Sequence, residues 1–74
     1  MDVNVVIKSI AYKKGLIEII GCFDSDTPKN KIDFYDVFYD GECLNLGEPF
    51  YKKPSIKLCK IMVDNFIKNY LGLK

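Results

Sequence analysis

Arginine, histidine, tryptophan and glutamine are absent from this chain of 74 residues. Without arginine there is no forked guanidinium to grip carboxylate, phosphate or guanine in a bidentate way. Without histidine the commonest zinc ligand is gone, and with it the side chain that most often moves protons near neutral pH. Cysteine is scarce: Cys22, Cys43 and Cys59 form no C-x-x-C pair, and an odd, widely spaced trio is not a disulfide framework. Three reduced, mostly structural thiols are expected. No apolar run approaches the ~20 residues that span a bilayer. An excess of one charge is missing too. Eleven lysines face ten acids, and a net charge of +1 names no partner by bulk electrostatics.

What is present fits an ordered domain. The chain is 49% apolar and 28% charged, which is the wrong composition for a disordered tail. Phe, Tyr, Met, Ile, Asn and Lys, whose codons are rich in A and T, make up half of it. An AT-rich genome is the simplest account of the missing arginine. Asp2 follows Met1 where a secretory signal would carry Lys or Arg, so a soluble cytoplasmic protein is expected. The length allows a single small α+β domain over residues 1–74, burying only about 60% of the surface the unfolded chain exposes.

Two β-prone runs open the chain, residues 3–12 and 16–23, with Lys13-Lys14-Gly15 between them. As a three-residue loop closed by a left-handed glycine, this connection pairs Tyr12 with Leu16, Ala11 with Ile17, Ser9 with Ile19, Ile7 with Gly21 and Val5 with Phe23. One face then holds Val5, Ile7, Ser9, Ala11, Ile17, Ile19, Gly21 and Phe23, with enough small residues to accept a helix closely. The other holds Val6, Lys8, Ile10, Tyr12, Leu16, Glu18, Ile20 and Cys22. That face is less polar than water contact favours.

After a turn-rich stretch, residues 24–30, comes the clearest local signal. Asp40-Gly41 is a two-residue type I′ turn, pairing Tyr39 with Glu42, Phe38 with Cys43, Val37 with Leu44, Asp36 with Asn45 and Tyr35 with Leu46. Tyr35, Val37, Leu44 and Leu46 share one face, and Asp36 and Asn45 the other, so alternation and turn agree. Gly47-Glu48-Pro49 ends this strand. Pro54-Ser55 starts a helix with Ser55 as N-cap, running about Ile56 to Leu71 and stopping at Gly72. Ile56, Leu58, Cys59, Met62, Val63, Phe66, Ile67 and Tyr70 fill its apolar arc; Lys57, Lys60, Asp64 and Lys68 fill the opposite one, with Ile61 among the charges. The order β-β-β-β-α predicts a four-stranded antiparallel sheet of two hairpins with one C-terminal helix packed on one face. One helix cannot cover both sides.

Motifs that carry chemistry are weak. Asp24-Ser25-Asp26-Thr27 resembles the D-x-D-x-T that opens haloacid-dehalogenase-type phosphatases, but its threonine falls one position early, and that chemistry needs a long doubly wound domain. Two acids and two hydroxyls in a loop more often make Asx turns. The same loop lacks the sixth-position glycine of an EF-hand. Seven of the ten acids lie between Asp24 and Glu48, an edge that could bind Mg²⁺ or Ca²⁺ or meet a basic partner; a solvated face is the simpler reading. Lys52, Lys53, Lys57, Lys60 and Lys68 cluster in and before the helix, where an exterior must be polar in any case.

Three functions follow as expectations. The first is a non-enzymatic protein-binding module, an inhibitor, immunity or adaptor protein of a virus or mobile element from an AT-rich host, contacting its partner through Tyr12, Phe34, Asp36, Phe38, Asp40 and Ile61. The second is nucleic-acid binding through the lysine stripe, which must weaken steeply with salt. The third is a small-ligand protein or minimal enzyme using Asp24, Asp26 or Cys22. No catalytic set, cofactor or metal is assigned, no membrane association is expected, and a homodimer through an uncovered face or edge is compatible with all three.

Overall fold

A computed structural model describes residues 2–24, 26, 32–45 and 47–70, the last of these by its backbone alone. Four strands, β1 (Asp2–Tyr12), β2 (Gly15–Asp24), β3 (Phe34–Tyr39) and β4 (Glu42–Cys43), form one antiparallel sheet in the order β1-β2-β3-β4. The helix α1 (Ile56–Tyr70) follows. The expected α+β architecture is therefore the observed one.

The second hairpin has the predicted register near its turn. Asp40 and Gly41 take φ of 49° and 84°, as a type I′ turn requires. Tyr39 pairs with Glu42 and Phe38 with Cys43, and the Leu44 amide donates to the Val37 carbonyl at 2.8 Å. The strand then stops early. In a regular ladder the Val37 N–H would reach the Leu44 carbonyl; here it donates to Asn45 Oδ1 at 3.0 Å. The chain loops out through Gly47 (φ 76°) and returns at Phe50, which exchanges backbone hydrogen bonds with Tyr35. Phe50 occupies the pairing expected of Leu46, a residue outside those described.

The first hairpin corrects the sequence reading. Its turn has two residues, Lys13 and Lys14, both left-handed (φ 47° and 68°), and Tyr12 pairs with Gly15. Gly15 is a strand residue whose missing side chain makes room: an added Cβ would stand 2.3 Å from Tyr39 Cζ. The one-residue slip turns the end of β1 over. Ile10 and Tyr12 lie on the helix side, while Ser9 and Ala11 face away from it. A bulge between Val6 and Lys8 then restores the predicted parity, so Ile7 packs beside Gly21 on the helix side. A left-handed lysine carries a steric cost of about 1 kcal/mol. Lys14→Gly is therefore expected to stabilise the protein by roughly 0.5–1 kcal/mol, read as a higher urea midpoint.

Ile17, Ile19, Val37, Tyr39, Cys59 and Val63 form the buried centre, with Ile10, Tyr35, Leu44, Phe50, Ile56, Met62, Phe66 and Ile67 around it. The helix begins as read: the Leu58 amide donates to Ser55 Oγ at 3.1 Å. Its predicted stop at Leu71 and Gly72 lies outside the described residues. Leu58, expected in the buried arc, is exposed. No helix among the described residues is long and apolar enough to cross a membrane.

The turn end of β1 is fastened to α1 by charge. Lys13 Nζ lies 2.7 Å from Asp64 Oδ1, the Tyr12 hydroxyl donates to the same oxygen at 3.0 Å, and Lys60 stands over the Tyr12 ring at 5.4 Å. The Lys13 ammonium first, and then the Tyr12 hydroxyl, hold the Asp64 carboxyl below its ordinary value of 3.8. A depressed carboxyl stabilises the fold above its unfolded-state pKa, and the contribution fades as pH falls through the lower folded value. Asp64→Ala is thus expected to melt below the parent at neutral pH. That gap closes on acidification below about pH 3.8. The Lys13 ammonium, raised above 10.5 by Asp64, sets the alkaline limit, where the gap narrows again. A melting-temperature gap independent of pH would show that the pair contributes nothing.

Candidate interaction site

Because α1 lies over Ile17, Ile19 and Val37, the alternate residues of the same strands point the other way. Phe34 pairs with Cys22, Asp36 with Ile20 and Phe38 with Glu18. On the far side of β2, Val6 pairs with Ile20, Ser9 with Glu18 and Ala11 with Leu16. These residues form a second face that no described element covers. Val6 keeps 54% and Leu16 41% of its surface exposed, and Phe34, Phe38 and Ile20 are half-buried. The face is an apolar layer with two acids, Glu18 and Asp36, near its middle.

A small polar network fixes one side of it. Asn45, buried, donates from Nδ2 to Asp36 Oδ1 and to the Glu48 carbonyl, each at 3.1 Å. The Cys43 thiol points to Asn45 Oδ1 at 3.4 Å, and the Cys22 thiol lies 3.8 Å from Asp36 Oδ2. The expected pairing of Asp36 with Asn45 is thus realised between side chains. Burial, with the neighbouring Asp36 charge second, pushes the Cys22 thiol up from its usual value. Such a thiol is a poorer nucleophile, so the small-ligand reading that used Cys22 gains nothing here. All three cysteines are free.

Of the six residues read as partner contacts, Phe34, Asp36 and Phe38 come together on this face. Asp40 sits at its end, where Oδ1 accepts the Leu16 amide at 2.8 Å, a bond that joins the two hairpins. Tyr12 does not belong to it. The shorter first turn carries Tyr12 to the helix side, against Asp64. Ile61, 47% exposed, stands on the outer surface of α1, away from the sheet. Glu18 was missed as a candidate, although it is the one charge inside an apolar run and so marks the outward side of β2.

The other candidates resolve locally. Asp24 Oδ1 accepts the Asp26 amide at 2.9 Å, an Asx turn that holds the Asp24 carboxyl below its ordinary value. Ser25 and Thr27 lie outside the described residues. Among the described residues no three Cys, Asp or Glu side chains are placed to hold a metal ion. Lys52, Lys53, Lys57 and Lys68 are exposed, and Lys60 is half-buried over Tyr12. A groove of about 370 Å³ runs between β4 and the second half of α1, floored by Leu44, Met62 and Phe66 and rimmed by Glu42, Asn65 and Asn69. No family model, curated protein or solved structure shows a significant match to the chain.

Proposed function

We propose that this chain is a small non-enzymatic protein-recognition module, of the kind that serves as an inhibitor, immunity or adaptor protein, and that it binds through the uncovered sheet face. The observation that carries the reading is that face itself: Val6, Leu16, Ile20, Phe34 and Phe38, with Glu18 and Asp36 set among them, share a sheet side that no described element covers. Apolar side chains gathered on one open face mark an interaction surface more often than apolar residues scattered singly. Sheet-borne aromatics are also efficient anchors, because their side chains lose little freedom on binding.

The test is capture of partners from the native cell by the parent chain and by two variants. Phe34→Ala with Phe38→Ala removes the two anchors, each worth about 2 kcal/mol in a well-packed interface, so the bound partner should fall roughly a thousandfold in affinity. Ile61→Asp alters the opposite surface and should leave capture unchanged. Both variants should retain the parent's circular dichroism. Equal capture by the double variant and the parent would remove the reading.

A further inference from the structure

The composition of the uncovered face goes further than its exposure. Lysine supplies every basic side chain of the chain, eleven in all, yet no strand position on this face is a lysine. Lys8 follows the bulge onto the helix side, and Lys13 is held by Asp64. Lys57, Lys60 and Lys68 belong to α1, on the far side of the sheet. What remains charged on the face is acidic. Glu18 and Asp36 are flanked by Leu16, Ile20, Phe34 and Phe38, and among the described residues neither is paired with a lysine. At one corner the layer deepens into a cavity of about 280 Å³, where Asp2, Asp33 and Asp36 surround Phe34 and Cys22.

We infer that the partner presents to this face a cationic protein surface, lysines or arginines spaced among apolar side chains, with one basic side chain entering the corner cavity. The inference rests on the recognition role proposed above and adds the partner's chemistry. Two acids inside an apolar layer are costly to bury against a neutral or acidic surface, because each loses water and gains no counter-charge. Against a basic surface each gains a partner, and Phe34 adds an aromatic face for the cation. The same charges argue against a face-to-face homodimer, which would bury four carboxylates together. Charge of this kind also steers encounter, so association should be fast and salt-sensitive.

The test uses isotope-labelled full-length protein and two synthetic amphipathic peptides with the same leucine pattern, one with lysine and one with glutamate at the polar positions. The lysine peptide should shift the amides of β2 and β3 around Glu18 and Phe38, with affinity falling about tenfold or more between roughly 20 mM and 200 mM salt. Glu18→Lys should weaken it about tenfold or more. Glu42→Lys changes net charge equally but lies on the helix side of β4, beside α1, and should alter affinity less than about twofold. Equal loss in the two variants would reduce the effect to bulk charge and overturn the inference. If both peptides bind the face equally, the charge assignment fails while the recognition role stands; if neither shifts it, both fail. Concentration-dependent self-association of the free protein, abolished by Glu18→Lys, would assign the face to the lysine-bearing helix surface of a second copy and overturn a separate partner.

Discussion

Asn45→Ala is expected to destabilise the protein by about 3 kcal/mol, most of the margin a domain of this size commands. The side chain is buried and stands where β4 gives out, so its amide does the work of a strand. Oδ1 accepts the Val37 N–H, and Nδ2 bridges Asp36 to the Glu48 carbonyl. Alanine leaves the Val37 N–H without an acceptor in the fully buried centre of β3. An unpaired buried donor costs about 1–3 kcal/mol, and the Asp36 carboxylate loses its donor as well. Asn45→Asp separates these effects. It keeps an acceptor for Val37 but sets a second carboxylate against Asp36. The like charge raises the folded-state pKa of the pair, so this variant should regain stability as pH falls through that raised value, whereas alanine should not. Urea unfolding across pH reads both. An Asn45→Ala midpoint equal to the parent's would mean that water replaces the amide at no cost.

The same residue shows where sequence reasoning held and where it ended. Asp40-Gly41 is a turn whose backbone only a few residues tolerate, so the register beside it was legible, and with it the outward placement of Phe34, Asp36 and Phe38. That Asn45 would meet Asp36 followed from this register. That it would replace the strand did not, since a side chain standing in for a backbone carbonyl leaves no periodic trace. Lys13-Lys14-Gly15 misled for the opposite reason. Its glycine invited a left-handed loop position, while the fold places two lysines in that conformation and uses Gly15 for the space Tyr39 needs. The bulge at Ile7 then hid half of the error by restoring parity. The open face was therefore predictable as a category, a sheet side one helix cannot reach. Its membership was not: Lys8, Ile10 and Tyr12 left it, and Ser9 and Ala11 joined it.

Gly15→Ala is expected to cost about 3 kcal/mol, although Gly15 does not have a left-handed backbone. The cost is steric. The new Cβ would lie 2.3 to 2.6 Å from Cζ, Oη and Cε1 of Tyr39. That ring has little freedom to yield: it is buried, packs edge-on to Phe66 at 6.3 Å, and its hydroxyl lies 2.9 and 2.7 Å from the carbonyls of Tyr12 and Lys13, to which it donates. Overpacking costs about 1–3 kcal/mol and a lost hydrogen bond about 1 more. In a Tyr39→Ala background the space is already empty, and alanine is the better strand residue than glycine. There Gly15→Ala should stabilise by about 0.5 kcal/mol, a reversal of sign that a double-mutant cycle reads directly. Destabilisation of equal size in both backgrounds would show that the ring is not what excludes a side chain. The contact matters beyond stability because it pins the two-residue turn. A chain that escaped to the three-residue turn would shift β1 by one residue against β2, bringing Ile10 and Tyr12 outward beside Glu18. Loss of peptide binding in Gly15→Ala under conditions where it remains folded would therefore report a changed face rather than a missing one.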